Sequence, residues 1–147
     1  MIKSAKDFFT KEQREDIRQA ILNAELDTSG EIRVHIETTC TGDVLDRAAF
    51  IFDKMGMQKT ELRNGVLFYV AVKNRRFAVI GDSGINAVVP EVFWDDLKNL
   101  LLNHFRENNF TEGLIRGVEM VGNKLKANFP YKAGDVNELT DEISFGE

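Results

Sequence analysis

Cysteine is almost missing from this chain of 147 residues, and Cys40 stands alone. That excludes an internal disulfide and a cysteine-rich zinc site. Histidine is scarce too: His35 and His104 lie far apart in sequence, so a histidine-based metal centre has little to build on. Only 2 prolines beside a hydrophobic fraction of 43% describe an ordered globular chain. No segment approaches the ~20 apolar residues of a transmembrane helix. The opening Met1-Ile2-Lys3-Ser4-Ala5-Lys6-Asp7 lacks the apolar centre of a signal peptide. The expectation is a soluble, cytoplasmic protein without membrane insertion. Basic charge is not in excess either. With 24 acidic and 19 basic residues the net charge is -5, which disfavours nucleic acid as a partner. Gly-x-Gly-x-x-Gly, the phosphate loop and the Gly-x-Ser-x-Gly elbow do not occur, so nucleotide cradling and serine hydrolysis lack a motif.

What the chain does have is a pair of apolar runs. Residues 66–72 are continuously apolar, a short basic break follows, and residues 77–80 resume the pattern before Gly81-Asp82-Ser83-Gly84-Ile85-Asn86. Short length and β-branched or aromatic content make the first run a strand buried on both faces. The second run delivers a flexible loop carrying Asp82, Ser83 and Asn86 to the rim of the sheet.

The flanking segments are readable in the same way. Thr10-Lys11-Glu12-Gln13 is a capping box opening a helix whose apolar face is Ile17, Ala20, Ile21 and Ala24. Residues 31–37 alternate without fault, with Ile32, Val34 and Ile36 on one face and Glu31, Arg33, His35 and Glu37 on the other, which suits an edge strand. A second helix carries Leu45, Ala48, Ala49 and Phe52 and ends near Gly56. The strand–helix–strand order makes the two strands parallel. Residues 73–76 are too short for a crossover, so the third strand returns as an antiparallel hairpin, with Asn74 suited to a left-handed turn position. A third helix begins at Pro90 with Phe93, Leu97, Leu100, Leu101 and Phe105 inward. A fourth runs from about Thr111 to Ala127. Residues 1–130 thus form one α/β domain of three or more strands in a mixed sheet and about four helices. Residues 131–147 form an acidic tail that Leu139, Ile143 and Phe145 could pin to it.

Strand direction gathers Ser29, Gly30, Glu31, Arg63, Asn64 and residues 81–86 at one rim, with Glu91 just beyond. Glu31, Asp82, Asn86 and Glu91, with Ser83 as a weaker donor, make an oxygen-rich group suited to a hard cation such as calcium. The competing reading is an ordinary strand-to-helix connection with Asp82 as a solvated turn residue. His35 is open to two readings as well: a surface residue on the polar side of its strand, or a base or phosphate-accepting group. Cys40 has no visible base to activate it. Trp94 and Phe93 read as packing residues, His104 as structural or exposed, and Asp95-Asp96 as a solvated helix face.

Three motifs, in order, carry a resemblance. Ser29-Gly30-Glu31-Ile32-Arg33-Val34, then Asn64-Gly65-Val66-Leu67, then residues 81–86 with Pro90-Glu91 resemble the TPM domain, as does the later Phe110-Thr111-Glu112-Gly113-Leu114. The likeness spans roughly residues 10–129. It implies a compact α/β sandwich with helices on both sides of a central sheet, divalent-cation binding, and a disputed acid-phosphatase activity. Relatives often carry a Gly-x-Gly-Leu-Glu loop followed by Pro-Asp; here Asn86 and Glu91 stand at the corresponding places. Many also carry a signal peptide and a membrane anchor. The expected function is therefore divalent-cation binding, calcium first, near residues 81–86. The alternatives are a metal-assisted phosphatase, or an interaction module for an unidentified protein partner.

Overall fold

The computed structural model describes residues 4–131 and 143–146. In chain order the helices are α1 (Ala5–Phe8), α2 (Lys11–Glu25), α3 (Val44–Lys54), α4 (Ser83–Asn86), α5 (Glu91–Arg106) and α6 (Phe110–Asn128). The strands are β1 (Glu31–Glu37), β2 (Gly65–Ala71), β3 (Arg76–Gly81) and β4 (Ile143–Gly146). The sheet order is β3-β2-β1-β4. β1 and β2 are parallel, with Glu31 opposite Gly65 and Glu37 opposite Ala71. β3 returns antiparallel to β2. The mixed α/β sheet expected from the sequence is present, with helices on both faces.

Local chemistry explains the helices that the sequence marks. Thr10 and Gln13 exchange side-chain hydrogen bonds with each other's backbone N–H, the reciprocal capping box. Asp43 caps α3 by accepting from the Asp46 N–H. On one sheet face Ile32, Val34, Ile36, Val66, Phe68 and Val70 form the main core with residues of α2, α5 and α6. In α6, a Cβ on Gly122 would lie 2.6 Å from the Ala24 Cβ, so glycine is what lets α2 and α6 approach this closely. On the other face Leu67, Tyr69, Ala71 and Ala78 pack under α3 with Ala48, Ile51 and Phe52.

Two features differ from expectation. β1 is not an edge strand: β4 pairs with it in parallel, Val34 opposite Ile143 and Glu37 opposite Gly146, and all seven β1 residues are buried. The polar alternation is real, but its polar face is covered. Residues 82–86 are likewise not a plain loop, because Ser83–Asn86 make one helical turn capped by Asp82. Of the expected tail anchors, Ile143 and Phe145 lie in β4 and pack against the main core. Leu139 and the acidic residues Asp135, Glu138, Asp141 and Glu142 lie outside the described residues. Among the described residues no helix is long and apolar enough to cross a membrane.

Candidate functional site

The rim at the start of β1 and β2 is assembled by backbone contacts. Glu31 N–H donates to the Asn64 carbonyl at 3.5 Å, and Asp82 N–H donates to the Gly65 carbonyl at 3.0 Å. Asn64 Nδ2 reaches Ser29 Oγ at 3.3 Å. Glu31 and Asp82 therefore flank Gly65 on neighbouring strands, as strand direction requires. The segment before β2 then locks onto α4. Gly84 N–H donates to the Arg63 carbonyl at 2.8 Å, and a Cβ on Gly84 would lie 2.0 Å from the Leu62 carbonyl oxygen and 2.6 Å from that of Arg63. Only glycine permits this approach. Arg63 adopts φ 52°, a left-handed conformation unusual for a non-glycine residue.

That backbone aims the Arg63 side chain at Asp82. Its Nε donates to Asp82 Oδ2 at 2.7 Å and its Nη2 to Oδ1 at 2.8 Å, a bidentate clasp. Oδ1 also accepts from Ser83 N–H at 2.7 Å. The carboxylate side chain is only 6% exposed while that of Arg63 is 49% exposed. The hydrogen bonds to Asp82 hold the Arg63 guanidinium's pKa above its ordinary value.

The other sequence-nominated groups spread out from this pair. Asn86 donates its side-chain N–H to the Gly81 carbonyl at 2.7 Å. Glu91 is exposed in the first turn of α5, and Ser83 contributes its backbone N–H to the Asp82 cap. Glu31 is buried, 3.5 Å from the wholly buried Arg33, whose Nη1 also reaches Glu25 at 2.8 Å. Among the described residues no three His, Cys, Asp or Glu side chains are grouped so as to hold a metal ion. Glu31 and Asp82 share the rim, then, but the four nominated groups do not form a ready-made carboxylate cage.

A second polar cluster lies toward the far end of β1, under α3. Glu37, 3% exposed, accepts from Arg47 Nε at 2.9 Å and Nη2 at 2.6 Å, from Tyr69 Oη at 2.5 Å, and contacts His35 Nε2 at 3.3 Å. His35 Nδ1 in turn lies 2.6 Å from Ser144 Oγ of β4. Burial alone would raise the Glu37 carboxyl, but the hydrogen bonds from Arg47, Tyr69 and His35 outweigh it and hold it down at about 2. Burial dominates at the other two groups, lowering His35 and raising Tyr69. His35 is therefore a buried network member, not a surface residue.

Sequence reasoning missed the role of Arg63 as the partner of Asp82, and it missed the Glu37 cluster. One signal was present. Tyr69 sits inside an otherwise apolar run, and a buried phenol needs a hydrogen-bond partner.

A central mixed sheet layered between helices, with glycine-built turns at one rim, defines this chain as an α/β sandwich domain. The model of the TPM domain matches residues 2–124, and the chain belongs to the TPM domain family. BA42 protein from the psychrophilic bacterium Bizionia argentinensis is 46% identical, with a TM-score of 0.88 over 96% of this chain and 97% of that one. Two N-terminal domains share the fold. One from P. gingivalis matches at 20% identity and TM-score 0.68, covering 84% of this chain and 80% of that one. The cg2496 domain from Corynebacterium glutamicum matches at 13% identity and 0.66, covering 88% and 81%. No curated protein is significantly similar in sequence.

Proposed function

We propose that this TPM domain binds a divalent cation of the calcium class at the rim around Asp82, with Arg63 as the internal cation that competes for the same carboxylate. The observation that supports this reading is the lone-arginine clasp. Among the described residues, a nearly buried carboxylate is neutralised by a single, half-exposed guanidinium and makes one further hydrogen bond, to a backbone N–H. A hard cation offers the carboxylate the same neutralisation, and Arg63 can withdraw into solvent.

The remaining ligands would come from oxygen donors near the rim and from water. Asn86 uses its amide N–H on Gly81, which leaves its amide oxygen to act as a donor to metal. Glu31 and Glu91 are the carboxylates that would have to move toward Asp82. Calcium tolerates such an irregular shell of carboxylate, amide, carbonyl and water oxygens better than magnesium does. Because the donors are not gathered in advance and Arg63 must be displaced, the affinity belongs to the weak class, about 10⁻⁴–10⁻³ M.

Calcium titration followed by backbone amide shifts tests the proposal. Saturable shifts are expected at residues 62–65 and 81–91. Asp82→Asn weakens binding at least ~10-fold, whereas Asp95→Asn, on the exposed face of α5, leaves it unchanged. Shifts that are absent, or that cluster elsewhere, overturn it.

A further inference from the structure

At the opposite end of the sheet lies a cavity of about 120 Å³ between the β2–β3 turn and the end of α5. Its inner wall is apolar: Val70 and Val72 from β2 and its exit, Leu102 and Phe105 from α5, and Phe110 at the start of α6. Ala71 and three arginines, Arg75, Arg76 and Arg106, complete the lining, and among the described residues no acidic residue contributes to it. In a chain of net charge -5, that concentration runs against the overall balance.

Two of these arginines are available to a ligand. Arg76, opposite Ala71 in the β2–β3 register, is turned toward the α3 face, where its Nη1 donates to the Gly42 carbonyl at 2.6 Å. Among the described residues Arg75 and Arg106 take part in no ion pair. Arg75 adopts φ 53° at the turn, a region that residues other than glycine, asparagine and aspartate seldom enter. Asn74, better suited to that conformation, instead uses its side-chain oxygen to accept from the Cys40 N–H at 2.5 Å. The turn thus brings Arg75, which has no ion pair among the described residues, to the lining of the cavity at a conformational cost.

We propose that this cavity is a binding site for a small amphipathic anion, namely one six-membered ring or short branched chain carrying a carboxylate. The volume sets the apolar part, since an engineered apolar cavity of about 150 Å³ takes up benzene. The guanidinium groups set the charged part, because arginine matches a carboxylate with paired, charge-assisted hydrogen bonds. This proposal is independent of the cation reading, which concerns the other rim.

The test is an amide-shift titration of the full chain with phenylacetate, run beside phenylacetamide, which keeps the ring without the charge, and acetate, which keeps the charge without the ring. Phenylacetate should give saturable shifts at residues 70–76 and 102–110, and each comparison compound should bind at least ~10-fold more weakly. The double variant Arg75→Asn with Arg106→Gln should retain the wild-type spectrum elsewhere and lose at least ~10-fold in phenylacetate affinity. If the first two ligands bind alike, if phenylacetate gives no saturable shifts, or if the double variant binds as wild type, the proposal is overturned.

Discussion

Among the described residues, Glu37 and Asp82 each accept two hydrogen bonds from one arginine, and they differ in what else holds them. Glu37 and Asp82 have side chains 3% and 6% exposed, and their partners Arg47 and Arg63 are 40% and 49% exposed. Both clasps are bidentate. Glu37, however, also accepts from the Tyr69 phenol and contacts His35, which is tied to Ser144 on β4. Among the described residues Asp82 has only Arg63 and the Ser83 N–H within its own cap. Withdrawing Arg47 would leave a buried carboxylate inside a committed network, whereas withdrawing Arg63 opens an aqueous rim. The first clasp is part of the architecture. The second is the one we propose to be exchangeable, and that is why the cation proposal centres on Asp82.

Breaking the first clasp should have the largest effect. Glu37→Gln should cost about 3 kcal/mol, because one buried charged acceptor loses its hydrogen bonds from both Arg47 and Tyr69, read from the urea midpoint at constant slope. Gly84→Ala follows at about 2 kcal/mol, because the added Cβ meets the Leu62 and Arg63 carbonyls and strains the rim backbone. Tyr69→Phe should cost about 1.5 kcal/mol for one hydrogen bond to a charged acceptor. Asp82→Asn should shift the midpoint least, since its arginine is already solvent-facing and an asparagine can still cap α4.

The pH dependence separates the two clasps in another way. Glu37 is held at about 2 in the folded protein against an ordinary 4.5, so the stability it contributes is complete above ~4.5 and is lost as pH falls toward 2. His35 is lowered by burial from its ordinary 6.5, so the unfolded chain takes up its proton first and stability begins to fall below ~6.5. The urea midpoint should decline from pH 7 to pH 3. Glu37→Gln should flatten the lower half of that decline and leave the upper half in place.

How much of this was legible depended on how local the cause was. The Thr10–Gln13 capping box and the 73–76 hairpin are set by neighbours in sequence, the parallel β1–β2 pair by the helix between its strands, and each is where the pattern puts it. The rim that joins Glu31, Gly65 and Asp82 also followed, because strand direction alone fixes it. The interior position of β1 did not follow. Its covering strand is four residues long, begins at Ile143, and follows an acidic stretch that gives no strand signal. Alternating charge in residues 31–37 looks solvated until Arg47, Tyr69 and Glu25 arrive from other elements to satisfy it. The same holds for Arg63: nothing local announces that an arginine in a left-handed conformation will clasp a carboxylate nineteen residues later. Nor does the turn reveal that Arg75 takes the strained position while Asn74 serves Cys40.

The exchangeability of the Asp82 clasp is tested most directly by comparing calcium affinity in the wild-type protein and in Arg63→Gln, followed by the amide shifts of residues 62–65 and 81–91. Removing the internal competitor should tighten calcium binding at unchanged positions, and adding Asp82→Asn should abolish the gain. Calcium affinity that is unchanged or weaker in Arg63→Gln, with the variant folded, would contradict that exchangeability.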